Sequence, residues 1–206
     1  MSKKAWSGLT VGLIPDGNRR WSQKYATSVD FAYRTASKKT MLAAEYFSKQ
    51  GLSNLIIYGA SQANVKSRPR QSFDILIDAF TETYQEYLKS QRDLEINFSF
   101  FGDLRCLDEN QLSKTQALSA GGAMPGRMNC IFVINYSYEW DILSATQAIG
   151  ETALGGTQLL DALPSARMPE IDCSIRTAGE HRLSNFLMQK HAYAELIFLE
   201  PNRKLC

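Results

Sequence analysis

A chain of 206 residues, 44% hydrophobic and 21% charged, has the size and composition of one domain (1–206) around one core. The net charge is only +2 and no long basic run stands out, which excludes a non-specific nucleic-acid binder. No apolar run approaches bilayer length and no signal-like apolar core follows Met1-Ser2-Lys3-Lys4, so a cytoplasmic protein with no transmembrane segment is expected.

In chain order, residues 9–15 form a short apolar run predicted as a buried strand. Asp16-Gly17-Asn18-Arg19-Arg20-Trp21 follows it and is predicted to open a helix. Residues 34–50 show helical periodicity and stop at Gly51, a C-cap signal. Residues 55–60 read as a second strand, and Ser61 to Pro69 as the polar segment after it. Phe73, Leu76, Ile77, Phe80, Tyr84, Tyr87 and Leu88 recur at three- and four-residue spacing, one apolar helical stripe. A third strand is predicted at 96–101 and a helix at 112–120, ending before Gly121-Gly122. A fourth strand at 130–136 and a helix at 139–150 follow. The Gly/Pro-containing stretch 155–169 reads as a surface connection. Strand 171–176, helix 182–191 and strand 195–199 complete the order. Such alternation, with continuous apolar strands, predicts an α/β fold: a parallel sheet flanked by helices. Four cysteines, Cys106, Cys130, Cys173 and Cys206, show no C-x-x-C pair, so no zinc or redox motif is expected; Cys130 and Cys173 read as small core residues.

In an open parallel sheet, ligands collect at the carboxyl ends of the strands. The richest polar segments there are the first, second and last. In the first, Gly17 permits close backbone approach, and the early N–H groups of the helix attract anions. Arg19 and Arg20 suit diphosphate oxygens. Asp16 would repel a bare diphosphate and therefore implies a bridging Mg²⁺; the plain alternative is a helix cap with solvated arginines. In the last, Arg176, Arg182 and Ser184 form a second candidate diphosphate cradle at a strand-to-helix junction. Glu195 enters an apolar strand and needs a partner, either a metal shared with Asp16 or a structural ion pair to Arg176 or Arg182. Ser61 and Asn64 can orient a substrate or leaving-group oxygen, or serve as ordinary turn residues. His181 alone reads as a surface or packing histidine. No Walker A loop, G-x-G-x-x-G motif or Ser-His-Asp triad is present.

With these residues in view the chain resembles the cis-prenyltransferase (undecaprenyl diphosphate synthase-like) family. Residues 16–21 resemble its D-G-N-x-R-W pattern, residues 176–186 its R-T-x-G-E-x-R-x-S-N-F pattern, and residues 192–196 its A-Y-A-E-L. Asn135-Tyr136, Trp140-Asp141 and Phe101-Gly102-Asp103 resemble intervening motifs. The resemblance implies a Mg²⁺-dependent prenyltransferase, commonly a homodimer, acting on prenyl diphosphates. It implies a catalytic, metal-engaging role for Asp16, and donor-diphosphate binding by Gly17, Asn18, Arg19, Arg20 and Trp21. It also implies a second diphosphate site at Arg176, Arg182 and Ser184, a metal-associated Glu195, and Ser61 and Asn64 beside the reacting carbons. Departures point to a branch. Tyr33 replaces the histidine of chain elongators and is assigned to substrate binding. Val29 replaces an arginine, and Ala60-Ser61-Gln62-Ala63-Asn64-Val65 replaces F-S-x-E-N-W. Tyr33 and the S-x-A-N stretch resemble lavandulyl and cyclolavandulyl diphosphate synthases. The expected reaction is therefore irregular head-to-middle joining of dimethylallyl or geranyl diphosphate, with or without cyclisation. The alternatives are short-chain head-to-tail addition of isopentenyl diphosphate and terpene cyclisation on the same fold.

Overall fold

A computed structural model of the protein describes residues 6–90, 96–120, 124–150 and 156–200. The expected helix stop at Gly121-Gly122 and Cys206 lie outside them. Six strands form one sheet: β1 (Thr10–Ile14), β2 (Asn54–Ser61), β3 (Ile96–Gly102), β4 (Met128–Tyr136), β5 (Cys173–Arg176) and β6 (Glu195–Phe198). Their spatial order is β3-β4-β2-β1-β5-β6, and every neighbouring pair is parallel. The fold class is thus as expected, and the predicted strands fall within two residues of the observed ones.

The apolar runs are continuous because both faces of the sheet are covered. On β2, Leu55 and Ile57 point into one core cluster, while Ile56 and Tyr58 point into the other. Each fully buried Leu or Ile stabilises the fold by roughly 1.5–3 kcal/mol, so a register slip would turn every one of these side chains to the wrong layer.

The helices are α1 (Asn18–Lys24), α2 (Val29–Gln50), α3 (Gln62–Ser67), α4 (Arg70–Lys89), α5 (Glu109–Ser119), α6 (Tyr138–Ile149) and α7 (Gly156–Ala162). Capping explains several boundaries. The Ser28 hydroxyl accepts the Phe31 N–H, so α2 begins five residues before the predicted start; Gly51 ends it at φ 83°. Asp108 and Gln111 form a reciprocal capping box at α5. The α4 stripe is buried as predicted, except Leu88, which is exposed.

Three expectations are corrected. Residues 182–191 do not form a helix: Ser184, Asn185 and Leu187 have positive φ, and only the short 3₁₀ turn Met188–His191 is helical. Tertiary contacts override local propensity there, since Phe186 and Leu187 are fully buried plugs. The stretch 155–169 is more than a surface connection. It contains α7 and a 3₁₀ turn, Pro164–Arg167, and is pinned by the fully buried Asp141. The Asp141 carboxylate accepts the Ser165 N–H at 3.0 Å, the Ser165 hydroxyl and the Tyr136 hydroxyl at 2.9 Å. Finally, Cys130 is a core residue, but Cys173 is only half-buried.

Candidate active site

β1 and β5 are adjacent, with Ile14 opposite Arg176. Their carboxyl ends therefore deliver Asp16 and Arg176 to one point although 160 residues separate them in sequence. A cleft of about 590 Å³ opens there, lined by Asp16, Gly17, Asn18, Arg19, Arg20, Tyr33, Ser61, Asn64, Arg176, Arg182 and Ser184. Leu76 and Phe80 of α4 and Phe132 of β4 line it as well and form its apolar part.

Arg176 organises the polar part. Its side chain is only 6% exposed and one terminal nitrogen lies 2.7 Å from Asp16 Oδ2. The other donates to Ser184 Oγ at 2.9 Å and to the Arg182 carbonyl. Arg176 Nε is buried and has no hydrogen-bond partner among the described residues. Asp16 Oδ1 accepts the Gly17 N–H at 2.6 Å, and Arg20 stands 3.8 Å from the same oxygen. Burial acts to raise the Asp16 pKa. The hydrogen bonds from Arg176 and Gly17 and the charges of Arg176 and Arg20 outweigh it, holding the carboxyl below its ordinary value. It is therefore a carboxylate at neutral pH.

Glu180 bridges the two arginine groups. One of its oxygens lies 2.8 Å from Arg20 and the other pairs with Arg182. Arg19 lines the cleft and makes no ion pair among the described residues.

Backbone geometry sets this arrangement. Gly17 has φ 92°, and a Cβ there would sit 2.6 Å from Ala178 Cβ, so only glycine lets the loop after β1 touch the loop after β5. The latter loop carries five further left-handed residues, Ala178, Gly179, Ser184, Asn185 and Leu187. It is anchored by the Tyr58 hydroxyl, which lies 3.2 Å from the Ser184 carbonyl; the Tyr58 ring stacks on Phe186 at 4.6 Å. Arg182 and Ser184 thus sit on a pinned loop, not on the predicted helix.

Ser61 caps α3, its hydroxyl oxygen accepting the Asn64 N–H at 3.1 Å. The turn role considered for these residues is real, and both still face the cleft. Tyr33 is buried, with its hydroxyl 3.4 Å from Arg68.

Two expected members are not brought in. Trp21 is absent from the cleft lining and packs against Tyr25 and Phe31, with ring centroids at 5.3 and 6.1 Å. Glu195 is exposed and pairs with Cys173 at the start of β5. It lies at the opposite end of the sheet from Asp16, about five strand residues or roughly 16 Å away at the rise of an extended chain. Within one chain the two cannot share a metal, nor does Glu195 reach Arg176.

Residues missed in the sequence include Arg68, Tyr58, Gly59 and Glu180, all in the lining. Arg68 and Glu180 stand in the polar segments already singled out, so their charge was the available signal. Gly59 is explained only by packing: a Cβ there would lie 2.3 Å from the Phe132 ring.

Among the described residues no group of three or more His, Cys, Asp or Glu side chains could hold a metal. A closed protein cage is thus not built here. One cleft carboxylate flanked by arginines does suit Mg²⁺ bound through one protein oxygen and several phosphate oxygens.

The undecaprenyl diphosphate synthase family model matches residues 14–202. Among curated relatives, the ditrans,polycis-undecaprenyl-diphosphate synthase ((2E,6E)-farnesyl-diphosphate specific) of Escherichia coli strain K12 is 28% identical over 202 residues, covering 92% of this chain and 78% of the relative. Its counterpart from Photorhabdus laumondii is 29% identical over the same shares. Among solved structures, lavandulyl diphosphate synthase from Lavandula x intermedia in complex with dimethylallyl diphosphate superposes with a TM-score of 0.80 at 23% identity, covering 93% of this chain and 86% of that one. At that identity the likeness speaks for the fold.

Proposed function

The chain belongs to the undecaprenyl diphosphate synthase family of prenyltransferases, and from that membership we propose that it joins two short allylic diphosphates by irregular head-to-middle condensation. The observation that carries this reading is one cleft with two arginine cradles at its mouth and an aromatic floor. The cleft's volume of about 590 Å³ lies within the range of small-ligand sites, roughly 300–1,000 Å³. Phe132 stacks on Phe80 with ring centroids 3.4 Å apart, and Phe80 on Tyr84 at 4.0 Å. Phe80 and Phe132 line the apolar end of the cleft, and this packed stack supports C5 and C10 chains, dimethylallyl or geranyl diphosphate, over long polyprenyl chains.

In this mechanism Arg19, Arg20, Asn18 and the Gly17 backbone hold the donor diphosphate. Arg182, Ser184 and the buried Arg176 hold the acceptor diphosphate. Holding both diphosphates aligns the reacting carbons and removes much of the entropic barrier. The donor C1–O bond breaks and its electron pair leaves with the diphosphate, whose growing charge the arginines stabilise. The C2–C3 π pair of the acceptor forms the new bond to donor C1. The resulting tertiary cation loses a proton to an oxygen of the departed diphosphate, or cyclises first. Asp16 would hold Mg²⁺, which when bound neutralises diphosphate charge and eases its departure. Ser61 and Asn64, at the cleft wall, orient the allyl groups, and Tyr33 supports the donor side through Arg68.

The intact Arg176–Glu180–Ser184 loop also suits isopentenyl diphosphate as acceptor, the head-to-tail alternative. Purified protein with Mg²⁺ is given dimethylallyl diphosphate alone, then with isopentenyl diphosphate, then geranyl diphosphate. Dephosphorylated products are identified by mass spectrometry. Branched or cyclic C10 alcohol from dimethylallyl diphosphate alone is the expected result; strict dependence on isopentenyl diphosphate would establish the alternative.

We further propose that residues 1–206 act as one domain and pair as a homodimer through β6. This edge strand exposes Leu196 and Ile197, next to the nearly fully exposed Tyr193, and such an edge favours covering. Sedimentation equilibrium should give twice the chain mass. Among the described residues no helix is long and apolar enough to cross a membrane.

A further inference from the structure

The arginines of the cleft mouth fall into two kinds. Arg176 is buried and fixed by Asp16, Ser184 and the Arg182 carbonyl. The side chains of Arg20 and Arg182 are 55% and 62% exposed, and both pair with one carboxylate, Glu180, Arg20 standing also 3.8 Å from Asp16. Glu180 belongs to neither cradle alone: one oxygen faces Arg20 of the first and the other faces Arg182 of the second. Its side chain is 23% exposed. It stands where diphosphate oxygens must come to reach these two guanidinium groups.

We infer that Glu180 is a built-in competing anion, which occupies Arg20 and Arg182 between turnovers and re-pairs with them as diphosphate products leave. The inference rests on the two-cradle reading above. A diphosphate carries more charge and more acceptor oxygens than a carboxylate, so it displaces Glu180 on entry. The displaced pairs are solvent-exposed and individually weak, so entry is not blocked. The reaction leaves inorganic pyrophosphate in one cradle and a prenyl diphosphate in the other, both still gripped by arginine. A neighbouring carboxylate ready to take those arginines back lowers the affinity for both and shortens their stay. Glu180 acts through Arg20 and Arg182 and is a positioning residue, not a catalytic one.

The test is the dissociation constant of inorganic pyrophosphate at fixed Mg²⁺, measured by calorimetry on wild type, E180Q and E180D, with thermal melts as a folding control. E180Q should bind pyrophosphate about fivefold more tightly, the scale of two exposed pairs, and E180D should return to near the wild-type value. In pre-steady-state runs E180Q should release pyrophosphate more slowly and show a larger product burst than wild type. Unchanged or weaker pyrophosphate binding by a folded E180Q would overturn the inference, because Glu180 would then only orient the arginines. R20Q and R182Q separate the two levels. If both weaken pyrophosphate binding while E180Q does not tighten it, the Glu180 inference fails alone. If neither weakens it, the cradle reading itself fails.

Discussion

The two ends of the cleft are built by opposite means. At the mouth, charged side chains stand at the end of β5, in the loops after β1 and β5 and on α1, and the ion pairs of Glu180 with Arg20 and Arg182 are partly exposed and exchangeable. At the floor, Phe132 and Phe80 are buried between β4 and α4, with Tyr84 stacked against Phe80, in an array with no exchangeable partner. Polar groups that must meet a ligand cannot be fully satisfied by the protein, whereas a floor proposed to exclude long chains has to be packed. Substitutions at the mouth should therefore cost mainly chemistry, and those at the floor mainly stability.

The sharpest test is Asp16→Ala, expected to lower turnover by about a thousandfold, the scale of lost electrostatic stabilisation, in a protein that keeps the far-UV circular dichroism of wild type but melts lower because buried Arg176 loses its partner. Near-normal activity would remove Asp16 from the mechanism. Arg176→Lys blurs the contrast by design, because this arginine is both buried and at the mouth. It should lose about a hundredfold in activity and also about 2 kcal/mol of stability, since lysine cannot serve Asp16 and Ser184 together; denaturant midpoints read the second effect. At the floor, Phe132→Ala should cost about 3–5 kcal/mol in urea unfolding and let a folded enzyme form longer or bulkier products by mass spectrometry. Gly59→Ala is the subtler version, because its Cβ would displace the Phe132 ring. A changed product ratio with a smaller loss of stability is expected.

The smallest effect concerns pH. Buried His191 accepts or donates to Ser174 Oγ at 2.8 Å, and burial holds its pKa below 6.5 although two backbone contacts oppose the shift. The unfolded chain then takes up this proton first as pH falls. The histidine's contribution is complete above about pH 6.5 and is lost as pH falls towards the folded pKa. Asp16 has the same sign in a lower window, below its ordinary pKa of 3.8. Urea midpoints of wild type and His191→Asn should accordingly converge below pH 6.5, and parallel curves would remove His191 from the pH response.

Much of the fold was legible because strands covered on both faces leave continuous apolar runs and because Gly51 and the α4 stripe mark helices by local rules. The segment 182–191 was not, since its helical periodicity belongs to residues that plug the core from an irregular loop. In the site, Asp16, Arg19, Arg20, Arg176 and Arg182 stand out as charge beside strand ends, and the structure gathers them with Ser184 around one cleft. Trp21 turns away from the cleft and Glu195 stands at the far end of the sheet within the chain, because adjacency in a motif does not say which way a side chain turns or which end of a strand carries it.

The sequence by itself determined the α/β alternation, the strand ends that carry charge and the family. Hydrophobic periodicity and clustered arginines are short-range properties and suffice for the first two, while the family rests on the resemblance of residues 16–21, 176–186 and 192–196 to its motifs. Only the tertiary structure decided that β1 and β5 are neighbours and that Arg176 is a buried tie from Asp16 to Ser184. It alone placed Glu180 between two arginines, Glu195 at the far end and Phe132 across Gly59. Each of these depends on strand order and packing between segments distant in sequence, which no local pattern encodes.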